Sequence, residues 1–207
     1  MKKLMIALTI LAIASVAQAE LLATWTFSGG AGTASPNGSA ANIGEVTIGN
    51  LVRTGLGTAS TAAGQFSSNG WQDGGDISFS LTVNSGYEIT SASMNITSLQ
   101  GSNTGPGTTQ WQLNGVNAGA SLTRTSSAVT SWNASIGTIG EGANTLSIIA
   151  VGTANVTGGA ISAAGSYRIN DLSLNGDIGA TAVPEPATMG LLGLGALAMA
   201  LRRKMSK

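Results

Sequence analysis

Residues 77–83 read Ile77-Ser78-Phe79-Ser80-Leu81-Thr82-Val83, a strict alternation of large apolar and small hydroxylated side chains. Successive side chains of a β-strand point to opposite faces, so this spacing places Ile77, Phe79, Leu81 and Val83 on one side. A helix would scatter the same four residues around its circumference. The period of two recurs, fully or nearly, at 23–27, 46–48, 111–113, 146–148 and 169–174. Gly, Asn and Ser clusters at 29–32, 84–86, 101–107, 114–115 and 158–159 punctuate these runs, and Asn114-Gly115 is a strong hairpin pair. No amphipathic helix of useful length is present. The pattern predicts an all-β fold of eight to ten antiparallel strands, a jelly-roll-like β-sandwich.

Both ends of the chain depart from this pattern. Met1-Lys2-Lys3 is a positive stretch, residues 4–16 are apolar, and Ala17-Gln18-Ala19 is a small-x-small cleavage site before Glu20. These are the parts of a secretory signal peptide, in order, with cleavage defined by Ala17 and Ala19. An uncleaved anchor is the plainer alternative, against which the apolar run is short. At the other end Pro184-Glu185-Pro186 precedes fifteen uncharged residues, 187–201, and then Arg202-Arg203-Lys204. As a helix the uncharged run would span about 22 Å at about 1.5 Å per residue. The bilayer core is about 30 Å thick, so tilt, local thinning and snorkelling of the basic residues must make up the difference. Pro184 and Pro186 bias their predecessors toward extended backbone, a strip that an enzyme can grip. The basic cluster marks the cytoplasmic side.

A Pro-Glu-Pro motif, a short hydrophobic stretch and a basic terminus, in that order, resemble the PEP-CTERM segment of bacterial exosortase substrates. The resemblance covers about a tenth of the chain. It implies an exosortase-type processing enzyme acting at Pro184, Glu185 and Pro186, with Arg202, Arg203 and Lys204 as the basic membrane flank. It also implies transient anchoring in the inner membrane and release to the cell surface or extracellular matrix, where extracellular polysaccharide would be a neighbour. A permanent anchor and a buried core helix are the rival readings of residues 187–201. The expected organisation is thus a signal peptide (1–19), a β-sandwich domain (20–182) and a C-terminal sorting segment (183–207) with a hydrophobic helix.

Within 20–182 there are eight acids against three bases, Arg53, Arg124 and Arg168, a net charge of −5. Such a domain lacks the basic face that nucleic acid requires, so no nucleic-acid partner is expected. The chain has no cysteine, so packing alone must hold an exported fold together. It has no histidine either, which removes Ser-His-Asp and Cys-His nucleophiles, common zinc sites and imidazole bases. A carboxylate pair or a calcium site is what remains.

A second, less specific resemblance joins Tyr167-Arg168-Ile169-Asn170-Asp171-Leu172-Ser173-Leu174-Asn175-Gly176 to the last strand of many secreted β-sandwich domains. Gly105-Pro106 with Trp111–Leu113, and Trp132–Ser135 with Leu146–Ala150, resemble inner strands of the same domains. It implies a jelly roll like those of carbohydrate-binding modules and concanavalin-like lectins.

The aromatic residues have two uses in such a fold, stacking platforms for sugars or filler between sheets. Trp25, Phe79 and Trp111 fall within alternating runs and read as core. Trp71 sits in the turn-rich stretch 67–76 and is the indole expected to be exposed, a tentative ligand-binding residue with Asp73 and Asp76. Two carboxylates flanking Gly74-Gly75 could join loop carbonyls around calcium, although a solvated turn explains them as well. No other cofactor is expected. Arg168 and Asp171, on the expected last strand, suit a local ion pair or a strand-edge contact. The four N-x-[ST] sequences are expected by chance in so Ser/Thr-rich a chain. The expectation is an exported, non-enzymatic surface or matrix protein. The alternative is a carbohydrate-binding, lectin-like domain using Trp71 and nearby polar loops.

Overall fold

The structure, a computed structural model, describes residues 19–27, 44–59 and 64–181. The chain forms β1 (Glu20–Thr26), β2 (Val46–Ile48), β3 (Val52–Thr54), β4 (Phe66–Ser68), β5 (Asp76–Val83) and β6 (Tyr87–Gly101). It continues with β7 (Thr108–Leu113), β8 (Val116–Thr123), β9 (Thr130–Ile139), β10 (Gly142–Ala150) and β11 (Tyr167–Ala180). Eleven strands are thus found among the described residues. The surplus over the expected eight to ten includes β3 (Val-Arg-Thr) and β4 (Phe-Ser-Ser), three residues each with a single apolar side chain and so no alternation to read.

One sheet runs β1-β11-β6-β9, with β4 also on β11; the other runs β2-β5-β10-β7-β8, with β3 also on β5. Every pairing is antiparallel. The chain passes repeatedly from one sheet to the other, which makes the sandwich jelly-roll-like. In β5 the alternation read from the sequence is realised: Ile77, Phe79, Leu81 and Val83 are buried. They meet Trp25, Met94, Ile96, Leu172 and Leu174 of the opposite sheet in one continuous core. Trp25 packs on Phe79 at 4.5 Å between ring centroids and Trp111 on Trp132 at 5.8 Å, and each pair bridges the sheets. Asn114 (φ 52°) and Gly115 (φ 79°) form the left-handed corner of the β7–β8 hairpin, as their identity predicts.

The long β6 escapes period-two reading because its alternation changes phase. Its register against β9 shifts between Ile89 and Ala92 and again between Ile96 and Leu99, and Ser91 takes φ 53° at the first shift. Each bulge inserts a residue and resets which face follows.

Candidate functional site

Two consequences of the fold bear on function: where the chain leaves the sandwich, and which polar groups it gathers. The first strand, β1, lies against the last, β11, with Glu20 opposite Gly176. Further along β11, Ala180 lies opposite Tyr87, and the Thr181 amide donates to the Gly86 carbonyl at 2.9 Å. The segments before Glu20 and after Thr181 therefore leave from the same end of the sandwich. Here the β5–β6 turn is held by Glu141, whose Oε2 accepts from the Gly86 amide at 2.8 Å. That bond, and a second from the Ser85 hydroxyl, holds the Glu141 carboxyl below the usual carboxylate range.

Charge is segregated along the same axis. Glu20, Glu45, Glu88, Glu141 and Asp177 lie toward this pole, through the pairings of β1, β2, β6, β10 and β11. Arg53, Arg124 and Arg168 all lie toward the opposite one, with the starts of β5 and β11 and the end of β8. The net charge of the domain thus resides where the chain comes and goes.

Trp71 is not exposed. It is 1% accessible, and its ring sits 5.2 Å from that of Tyr167. The turn-rich stretch misleads because its glycines fold it inward. Gly70 (φ 81°) and Gly74 (φ 80°) bracket a single 3-10 turn, Trp71–Asp73, and the Gly70 amide donates to the Ala163 carbonyl. An indole carries too much apolar surface to leave in water when a cavity between sheets is within reach. A stacking platform at Trp71 is thereby corrected to a core role. The stretch begins within β4, where Arg53 lies 3.7 Å above the Phe66 ring and donates to the Ser67 carbonyl.

The two aspartates part company. Asp73 is exposed and accepts from the Gln72 amide, whereas Asp76 is the first residue of β5, with Oδ1 buried and unpartnered. Among the described residues no three His, Cys, Asp or Glu side chains gather as a metal site. Asp171 accepts from the Thr97 hydroxyl at 3.0 Å, and Arg168 Nε is buried without a partner, so no ion pair forms between them.

The outer face of the β1-β11-β6-β9 sheet carries a row of small polar residues, Thr24, Ser173, Asn95 and Asn133, aligned across all four strands. Thr24, Asn95 and Ser173 also line a shallow groove of about 330 Å³, with Asp171, Thr97 and the exposed Leu21. Nothing in the sequence singles this groove out, since its residues come from three strands. Of the expected targeting residues, Ala19 is the first described one. Ala17, Pro184, Glu185, Pro186, Arg202, Arg203, Lys204 and the apolar helix at 187–201 lie outside the described residues. Among the described residues no helix is long and apolar enough to cross a membrane.

Fold and sequence together define a class: an antiparallel β-sandwich that carries a C-terminal protein-sorting motif. Residues 182–204 match the family described as the PEP-CTERM protein-sorting motif. No curated protein matches the chain in sequence. Similar solved structures include the Podospora anserina GH26-CBM35 β-(1,4)-mannanase, at 19% identity, 68% coverage of this chain and TM-score 0.40. The chain spans only 29% of that mannanase. The CBM36-1 domain of a multidomain xylanase from the hindgut metagenome of Trinervitermes trinervoides is similar at 15% identity, 67% of this chain, 99% of that one and TM-score 0.37. A third is CBM35 from Cellvibrio japonicus Abf62, at 21% identity, 65% of this chain, 93% of that one and TM-score 0.36.

Proposed function

We propose that this is an exported, non-enzymatic β-sandwich protein of the cell surface or extracellular matrix. Residues 1–19 direct export, and an exosortase-type enzyme acts at Pro184-Glu185-Pro186 after the apolar segment has anchored in the inner membrane. The carrying observation is the sorting motif at 182–204, which begins two residues beyond the end of β11. The placement suits the task, because both targeting segments leave one pole and leave the rest of the sandwich free. A chain without histidine or cysteine lacks the commonest catalytic groups, which supports a role other than catalysis. The mature C-terminus decides the matter. Mass spectrometry of the surface-released protein is expected to show a terminus near Pro184–Pro186, and an intact Lys207 on that protein would reject processing.

A second reading, recognition of a neutral saccharide, is favoured by the groove on the outer face. It sets a carboxylate (Asp171), an amide (Asn95) and hydroxyls (Thr24, Ser173) beside the apolar wall of Leu21, which is 57% exposed. Convergent polar groups beside apolar surface are what a sugar ring with its hydroxyls requires. Affinity electrophoresis against neutral polysaccharides, with and without EDTA, tests it. Retardation lost in Asp171→Asn supports the groove, and unretarded migration on every polymer discards it.

A further inference from the structure

Arg124 is only 4% exposed, yet its charge is incompletely matched. Nη2 donates to the carbonyls of Gly101 (3.1 Å) and Ser126 (3.3 Å), while Nε and Nη1 have no partner among the described residues. The nearest aromatic face is that of Tyr167, 5.9 Å away. Burial disfavours the cation, and no carboxylate contributes to holding it. A guanidinium does not shed its proton to escape this, so a buried arginine is ordinarily matched by an anion. Among the described residues none is supplied, although the domain has eight acids.

Arg124 borders a cavity of about 170 Å³ formed by the stretch from the end of β8 to the start of β9, lined also by Thr123, Thr125, Ser126, Val129 and Thr130. The lining holds four hydroxyls and no carboxylate. Ser126 Oγ accepts from the Ala128 amide, which leaves its own proton to donate. A cavity well below the usual ~300 Å³ of small-molecule sites suits one charged group on a single ring rather than an oligomer.

We propose that this cavity is a carboxylate-binding site, with Arg124 as counter-ion and the Thr125 and Ser126 hydroxyls as neutral donors, and that its ligand is the carboxylate of an acidic saccharide. The saccharide source rests on the matrix reading given above; the carboxylate chemistry rests on Arg124 alone. Nε and Nη1 are shielded from solvent, so a ligand reaches them only through a local shift of the residues packed on the guanidinium.

Titration calorimetry on the exported protein with glucuronate, acetate and glucose tests the proposal. Glucuronate is expected to bind at least tenfold more tightly than acetate, with no binding of glucose. Arg124→Gln should abolish glucuronate binding. Should that variant fail to fold, Thr125→Val with Ser126→Ala is expected to weaken binding several-fold at an unchanged melting temperature. Equal affinity for glucuronate and acetate would overturn the saccharide source, and no binding of either would overturn the site. Glucuronate binding by a protein whose Lys207 is intact would instead count against the matrix reading while sustaining the site.

Discussion

The hydroxyls of Tyr167 and Thr109 lie 3.1 Å apart in the core and tie the two sheets together, Tyr167 from the start of β11 and Thr109 from β7. Both residues are inaccessible to solvent. Tyr167→Phe leaves the Thr109 hydroxyl buried and unsatisfied, an expected loss of about 1–3 kcal/mol. Urea unfolding measures it. The double variant with Thr109→Val should recover part of the loss, and strict additivity of the two would show that no tie exists.

The same phenol makes stability depend on alkaline pH. Burial holds the Tyr167 pKa far above its ordinary 10.0, and neither the Thr109 hydrogen bond nor the Arg124 charge offsets that. The unfolded chain therefore gives up this proton first. Its contribution is fully present below about pH 10 and falls by about 1.4 kcal/mol per pH unit above it, until the folded phenol itself titrates. Melting temperatures across this range should fall more steeply for the wild type than for Tyr167→Phe. Parallel curves would contradict the assignment.

Trp71 is a structural residue, and its removal should be read in stability. Trp71→Ala is expected to cost about 3–5 kcal/mol. Trp71→Phe keeps an aromatic ring against Tyr167 and deletes an indole N–H that has no partner, so its cost should be much smaller. A Trp71→Ala protein that melts like the wild type would place the indole outside the core.

Gly115 and Gly176 should both resist substitution, for different reasons. A Cβ on Gly115 meets open space, so Gly115→Ala pays only for its φ of 79°, about 1–2 kcal/mol. A Cβ on Gly176 would lie 2.5 Å from Cγ2 of Ile89 and 3.3 Å from Cδ1 of Leu22. Gly176→Ala must displace the core and should cost more. Chemical denaturation of the pair tests the ranking, and a costlier Gly115→Ala would reverse it.

Processing should depend on the spacing between fold and motif. Thr181 is hydrogen-bonded to the turn at Gly86, and Pro184 follows three residues later, at most about 10 Å away along an extended chain. Deleting Ala182 and Val183 would draw the motif against the folded pole, and uncleaved protein should accumulate several-fold in pulse-chase. Replacing Pro184-Glu185-Pro186 with three alanines should block cleavage outright. Normal processing of both variants would detach the motif from the event.

Strand content was legible where alternation is uninterrupted. The runs at 46–48, 77–83 and 111–113 lie in β2, β5 and β7, and Asn114-Gly115 turns the hairpin after β7. No such pattern marks β6, whose bulges shift the phase, or β8, where Ala118 alone is buried and no apolar stripe exists. The burial of Trp71 is not legible in the sequence, because a glycine-rich composition signals a turn without specifying which way the turn folds.

What the sequence alone determined is whatever depends on covalent neighbours: the period of two, the hairpin corner, and a sorting motif whose parts must follow in order. Only the tertiary structure decided that the first strand lies beside the last, that five of the eight acids gather at the pole opposite the three arginines, and that Arg124 is buried beside a hydroxyl-lined cavity. Each of these is a relation between residues distant along the chain. Such relations are fixed by which strand packs beside which, and no local pattern encodes that choice.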